Sequence, residues 1–88
     1  MASLTDEQKT EYKEHIFLAN SLYNEAKIAI REGCTHIAKT KLESAMAHYK
    51  SAGQIVAGKS IVGTNEALAG IKKCGDLIAA IVEESREK

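Results

Sequence analysis

The chain has 88 residues, 44% of them hydrophobic and 27% charged, and its 12 basic residues are balanced by 12 acidic ones. A net charge of zero argues against a broad electrostatic footprint for nucleic acid, and the length fits one domain, residues 1–88, with a modest core. The longest plain apolar run, residues 77–82, is far short of the roughly 20 residues of a membrane span, and no basic-then-apolar leader opens the chain, so a cytoplasmic protein with neither membrane nor nucleic acid as a partner is expected.

Three segments carry helical periodicity and none carries strand alternation. The first opens at Thr5, with Gln8 three residues on as a capping box and Asp6 and Glu7 in the first turn, where the helix dipole favours negative charge. Tyr12, Ile16, Ala19, Tyr23, Ala26 and Ile30 then recur in alternating steps of four and three, one apolar stripe on a helix over about residues 6–32. Gly33 is its natural stop, since glycine enters the left-handed cap conformation readily. The second helix, about residues 35–57, starts with Thr35 as the favoured N-cap and repeats the same steps through Ala38, Leu42, Ala45, Tyr49, Ala52 and Val56. Residues 58–64 read as a linker. A third helix over about residues 65–85, capped by Thr64 or Asn65, carries Ala67, Ile71, Cys74, Ile78, Ile81 and Ser85, with Leu68 and Val82 widening the stripe. The repeated four–three spacing suits shallow packing angles, and the short Gly33 turn demands an antiparallel hairpin. The fold expected is all-α, a three-helix antiparallel (up-down-up) bundle.

The letters around that turn carry a resemblance. Ala26 and Ala29 precede Gly33, and Ala38, Leu42 and Ala45 follow it, with Lys50 beyond. About 25 residues on this pattern resemble a MIT or tetratricopeptide-like helical hairpin. Thr35 stands where an aromatic is usual, and Ile30 where MIT domains often have Asp. A single hairpin excludes a tetratricopeptide array, and the third helix favours the MIT comparison. The resemblance implies an adaptor that binds helical peptides along a groove between helices; a tight helical hairpin of any kind uses most of the same letters.

Three stretches invite a chemical reading. Gly53-Gln-Ile-Val-Ala-Gly-Lys-Ser60 has the spelling G-x-x-x-x-G-K-[ST] of a phosphate-cradling loop. That loop is fed by a strand and opens a helix whose N-terminus holds the phosphates. Here residues 45–52 follow helical period, Val56 belongs to the second stripe, Gly63 interrupts any following helix, and no strand-like run ends in an Asp for magnesium. The expectation is a helix end: residues 53–57 helical, the chain leaving near Gly58, and Lys59 beside the negative C-terminus. Nucleotide binding is the remote alternative. Arg31-x4-His36 resembles the motif of HEPN-type RNases, helical proteins of toxin systems in which Arg and His act together on RNA; that resemblance implies a small toxin-type nuclease or its neutraliser. In this chain the pair straddles the Gly33 turn, with Arg31 closing one helix and His36 in the first turn of the next. Cys34, His36, Cys74, His15 and His48 are too scattered for the roughly four close ligands of a zinc site. Cys34 and Cys74 should lie over ~10 Å apart, beyond disulfide reach. No catalytic residue, metal or cofactor is expected.

A second stripe on helix 1 is more informative. Phe17, Ser21, Asn24 and Ile28 recur in steps of four, three and four on nearly the opposite face from the core stripe, and Leu18 and Leu22 extend the apolar surface toward the core. Either helix 3 lies over part of this side, or the stripe marks an interface. The functional expectation is a non-catalytic interaction or self-associating module, with a protein partner or a second copy (a homodimer) seated on Phe17, Leu18, Ser21, Asn24 and Ile28.

Overall fold

The computed structural model describes residues 5–56 and 61–86, and the side chains of 5–56 and 66–83. Helix α1 spans Asp6–Arg31. Its start is the predicted capping box: Thr5 Oγ1 accepts from the Gln8 N–H at 3.1 Å, and Gln8 Oε1 accepts from the Thr5 N–H at 3.0 Å, so two of the four orphan donors of the first turn are satisfied. At the other end Glu32 is the C-cap and Gly33 takes φ +83°. The Cys34 N–H reaches back to the Ala29 carbonyl at 2.8 Å and the Gly33 N–H to the Ile30 carbonyl at 3.0 Å. These two bonds make a Schellman motif, which needs a residue at ease in the left-handed region.

Helix α2 follows at once, Thr35–Val56. The Cys34 carbonyl already accepts from the Ala38 N–H at 3.0 Å, so Cys34 rather than Thr35 is the N-cap residue. Closing α1 commits the Cys34 N–H and leaves its carbonyl free to open α2, and Thr35 is drawn inside the helix. Helix α3 runs Ile61–Arg86. It begins earlier than the predicted cap at Thr64 or Asn65, so residues 61–64 are helical and not linker. Gly63 does not interrupt it, because one glycine costs a helix about 1 kcal/mol and a 26-residue element tolerates that. Residues 58–60 of the predicted linker lie outside the described residues.

The three helices form the antiparallel, up-down-up bundle. Glu25, Asn20 and His15 of α1 meet Lys41, Tyr49 and His48 of α2, a register that runs backwards from the Gly33 turn. Gly53 and Gly70 face Ala67 and Tyr49 across the α2–α3 contact, again antiparallel. α1 and α3 are parallel and touch sparsely, through Tyr12 and Glu66 (3.5 Å) and through the Lys73 ammonium over the Tyr23 ring at 4.5 Å. α2 is therefore the central helix, and its predicted stripe is buried in full: Ala38, Leu42, Ala45, Tyr49, Ala52 and Val56. Ile16, Ala19, Ala26 and Ala29 line it from α1 and Ala67, Cys74 and Ile81 from α3, with Tyr12, Tyr23, Ile30, Ile71 and Ile78 half-buried around them. Alanine at so many contact positions lets the axes approach closely, and dispersion between backbones then replaces the bulk of large side chains.

Leu68 and Val82 do not widen the core. They are exposed, because α1 covers only the flank of α3 that carries Glu66 and Lys73. Among the described residues nothing packs on the opposite flank.

Candidate functional site

The outward face of α1 is bare. Phe17 is 68% exposed and Ile28 51%, Leu18 and Asn24 are exposed, and Ser21 is half-buried. Leu22 turns inward and packs against the core. Helix α3 meets α1 through Tyr12 and Tyr23, on a different flank, so it does not lie over this stripe. A shallow depression beside Phe17 is lined by Thr10, Lys13, Glu14, Phe17 and Leu18.

At 100° per residue the stripe has two chemically distinct edges. Lys13 and Lys27 fall along one, and Glu11, Glu25 and Glu32 along the other, all exposed. Glu25 pairs with Lys41 of α2 at 2.7 Å, and the Lys27 ammonium sits 5.6 Å from the Tyr23 ring. Each is an exposed contact of small energetic weight.

The remaining sequence candidates are found apart from this face. Arg31 is the last residue of α1 and His36 lies in the first turn of α2, both exposed on either side of the Gly33 turn. Of the phosphate-loop spelling, residues 53–56 belong to α2. Val56 is buried, and a Cβ on Gly53 would stand 3.5 Å from that of Ala67. Ala57, Gly58, Lys59 and Ser60 lie outside the described residues, so the predicted exit near Gly58 does too. No strand feeds that stretch among the described residues, although α3 begins directly after Ser60. Cys34 is exposed at the turn and Cys74 is buried, both as free thiols. Burial pushes the Cys74 thiol up, and Lys73 opposes that weakly, so it is a poor source of thiolate.

Two features escaped the sequence. The first is Tyr49, which joins all three helices. Its ring seats on Gly70 of α3 and its hydroxyl donates to Asn20 Oδ1 of α1. Burial, then the nearby Cys74, Glu66 and Tyr23, push its hydroxyl up to about 12. The second is a histidine pair. His15 Nδ1 and His48 Nδ1 lie 3.0 Å apart in a partly buried contact between α1 and α2. Their ring centroids are 5.3 Å apart, close to that nitrogen distance plus the two ring radii, so the nitrogens face each other head-on. This is the geometry of one N–H donating to one lone pair, whereas two ligands of one metal would aim at a common point to the side. The signal was available: in a hairpin that turns at Gly33, residues 15 and 48 fall at nearly the same height.

Among the described residues no group of three or more His, Cys, Asp and Glu could hold a metal ion, and no helix is long and apolar enough to cross a membrane. No family model matches the chain, and neither does any curated protein or any solved structure.

Proposed function

We propose that this protein is a non-catalytic helix-face interaction module, and that the partner on the outward face of α1 is a second copy of the chain. The observation that carries this reading is the bare Phe17–Ile28 stripe with a basic edge on one side and an acidic edge on the other. Two such helices packed in parallel set the basic edge of each copy against the acidic edge of the other. Lys27 then faces Glu32 of the second copy, and the Lys13 stem covers its Leu18. Antiparallel packing would set lysine against lysine and glutamate against glutamate, so the charges select the parallel arrangement. Phe17 and Ile28 stack on their own counterparts, while Ser21 and Asn24 in the seam fix the register at some loss of affinity. A seam this short and this polar makes a weak dimer.

Sedimentation of the purified chain from about 10 μM to about 1 mM, the range expected for a small interface, tests the proposal. The expected mass rises toward twice 9.5 kDa, and Phe17→Asp and Ile28→Asp both hold it at the monomer. Lys27→Glu weakens association and Lys27→Glu with Glu32→Lys restores it. Cys34 reports the orientation: a parallel dimer brings the two exposed Cys34 thiols to the same end and lets mild oxidant cross-link them. A chain that stays monomeric across the range overturns the second copy as partner. A dimer indifferent to both stripe substitutions overturns this face as the interface.

A further inference from the structure

The His15–His48 contact has chemistry that neither the core nor the α1 face explains. We infer that it is a proton-counting latch on the α1–α2 hairpin, closed while at least one of the two rings is neutral and opened when both are protonated. The latch follows from the head-on geometry, with Nδ1 facing Nδ1 at 3.0 Å. In the neutral pair one ring carries Nδ1–H and the other offers its Nδ1 lone pair. A first added proton goes to Nε2 of the donor ring. The hydrogen bond survives and becomes charge-assisted, hence stronger. A second proton has to occupy the accepting Nδ1 itself. That removes the only lone pair in the contact, points two N–H groups at each other and places two positive charges in a partly buried site.

The surroundings do little to relieve that state. On α1 the nearest charged side chain on the same face is Glu11, one turn before His15 and exposed, and Tyr12 is engaged with Glu66. On α2 the residues one turn to either side of His48 on this flank, Ser44, Ser51 and Ala52, are uncharged, and Lys41 two turns away is tied to Glu25. Helix α3 packs on the other flank of α2, where Gly53 meets Ala67. Its charged groups that touch α1, Glu66 and Lys73, do so through Tyr12 and Tyr23.

When the hairpin opens, the separated rings take up both protons freely. The open state thus binds more protons than the closed one, and stability falls as pH falls through the second protonation. The Gly33 turn tethers the other end of the hairpin, so the half of α1 carrying Tyr12 and His15 is the part released.

The test uses the full chain. Thermal unfolding is followed by circular dichroism at about pH 7.5 and about pH 5, the span of histidine titration, in the wild type and in His48→Gln. Gln Oε1 can accept from His15 in either protonation state. The wild type is expected to lose melting temperature over this interval, and His48→Gln to lose less than half as much. His36 and the carboxylates are common to both proteins and drop out of the comparison. Nitrogen-15 NMR of the wild-type imidazoles provides a second readout that does not depend on the variant folding: His15 and His48 are expected to report two resolved protonation steps, each sensed by both rings. Equal losses in the two proteins, or rings that each titrate as independent single steps, overturn the latch.

Discussion

Gly70 and Gly75 share one helix and carry opposite constraints. A Cβ on Gly70 would stand 2.5 Å from Tyr49 Cε1 and 2.6 Å from Cδ1 and Cζ. The ring has no free room to retreat, because it is buried and its hydroxyl is held by Asn20. Overpacking of this kind costs about 1–3 kcal/mol, only partly offset by the better helix propensity of Ala. A Cβ on Gly75 meets nothing within 4 Å, so Gly75→Ala should stabilise the protein by about 0.5–1 kcal/mol. Denaturant unfolding of the two variants should therefore move the midpoint in opposite directions. A shift of the same sign in both would mean that the α2–α3 contact at Tyr49 is not as tight as it stands here. The sequence marks both positions only as mid-helix glycines. What separates them is which one faces an aromatic ring on the neighbouring helix.

At the scale of elements, α1 is ended by a specific local device. Gly33, at φ +83°, ends α1 and lets three residues, Glu32, Gly33 and Cys34, turn the chain into α2. Any side chain there meets the left-handed penalty of about 1–2 kcal/mol, although open space surrounds the position. Gly33→Ala should thus lower stability by about 1 kcal/mol through the backbone alone, and Gly33→Asn by less. A chemical-denaturation series over Gly, Asn and Ala at 33 checks the order, and an unchanged Ala variant would rule out the left-handed cap. The stripes of α1 and α2 were legible because a buried helix face has to repeat at 3.6 residues. The flank of α3 was not. Leu68 and Val82 sit beside its stripe in sequence yet face solvent, since only the placement of α1 determines which side of α3 is covered.

Tyr49 ties the whole molecule to alkaline pH. Its hydroxyl is pushed from the usual 10 up to about 12, first by burial, and Tyr12 is raised as well by burial and by the Glu66 carboxylate. A folded value above the unfolded one means that the unfolded chain releases its proton first. The stabilisation is whole below pH 10 and is lost as pH rises from 10 toward 12. For a shift of this size the loss reaches roughly 2–3 kcal/mol, a large fraction of the stability of a small domain. Helicity and tyrosinate absorbance followed together across this range should change together, and Tyr49→Phe should flatten the helicity curve. Ionisation of all three tyrosines before any loss of helix would contradict a buried, hydrogen-bonded Tyr49. The latch at His15 and His48 acts at the opposite, acid end and loosens one end of α1, whereas ionising Tyr49 undermines the point where all three helices meet.

The capping box at Thr5, the stop at Gly33, the three apolar stripes and the antiparallel bundle are determined by the sequence alone, because each rests on local stereochemistry or on a period the backbone imposes. The early start of α3 at Ile61 is an outcome of the whole element: propensity at Val62, Gly63 and Thr64 is too weak to choose between helix and linker, and the rest of a long helix decides. Contacts between residues far apart in sequence belong only to the folded state. His15 meets His48, and Tyr49 meets both Asn20 and Gly70, because helix rotation and register set those distances, and no single helix contains that information. The bare face of α1 lies between the two. Its stripe can be read from the sequence, but its exposure depends on α3 choosing the other flank, where Tyr12 and Tyr23 give it polar and aromatic partners.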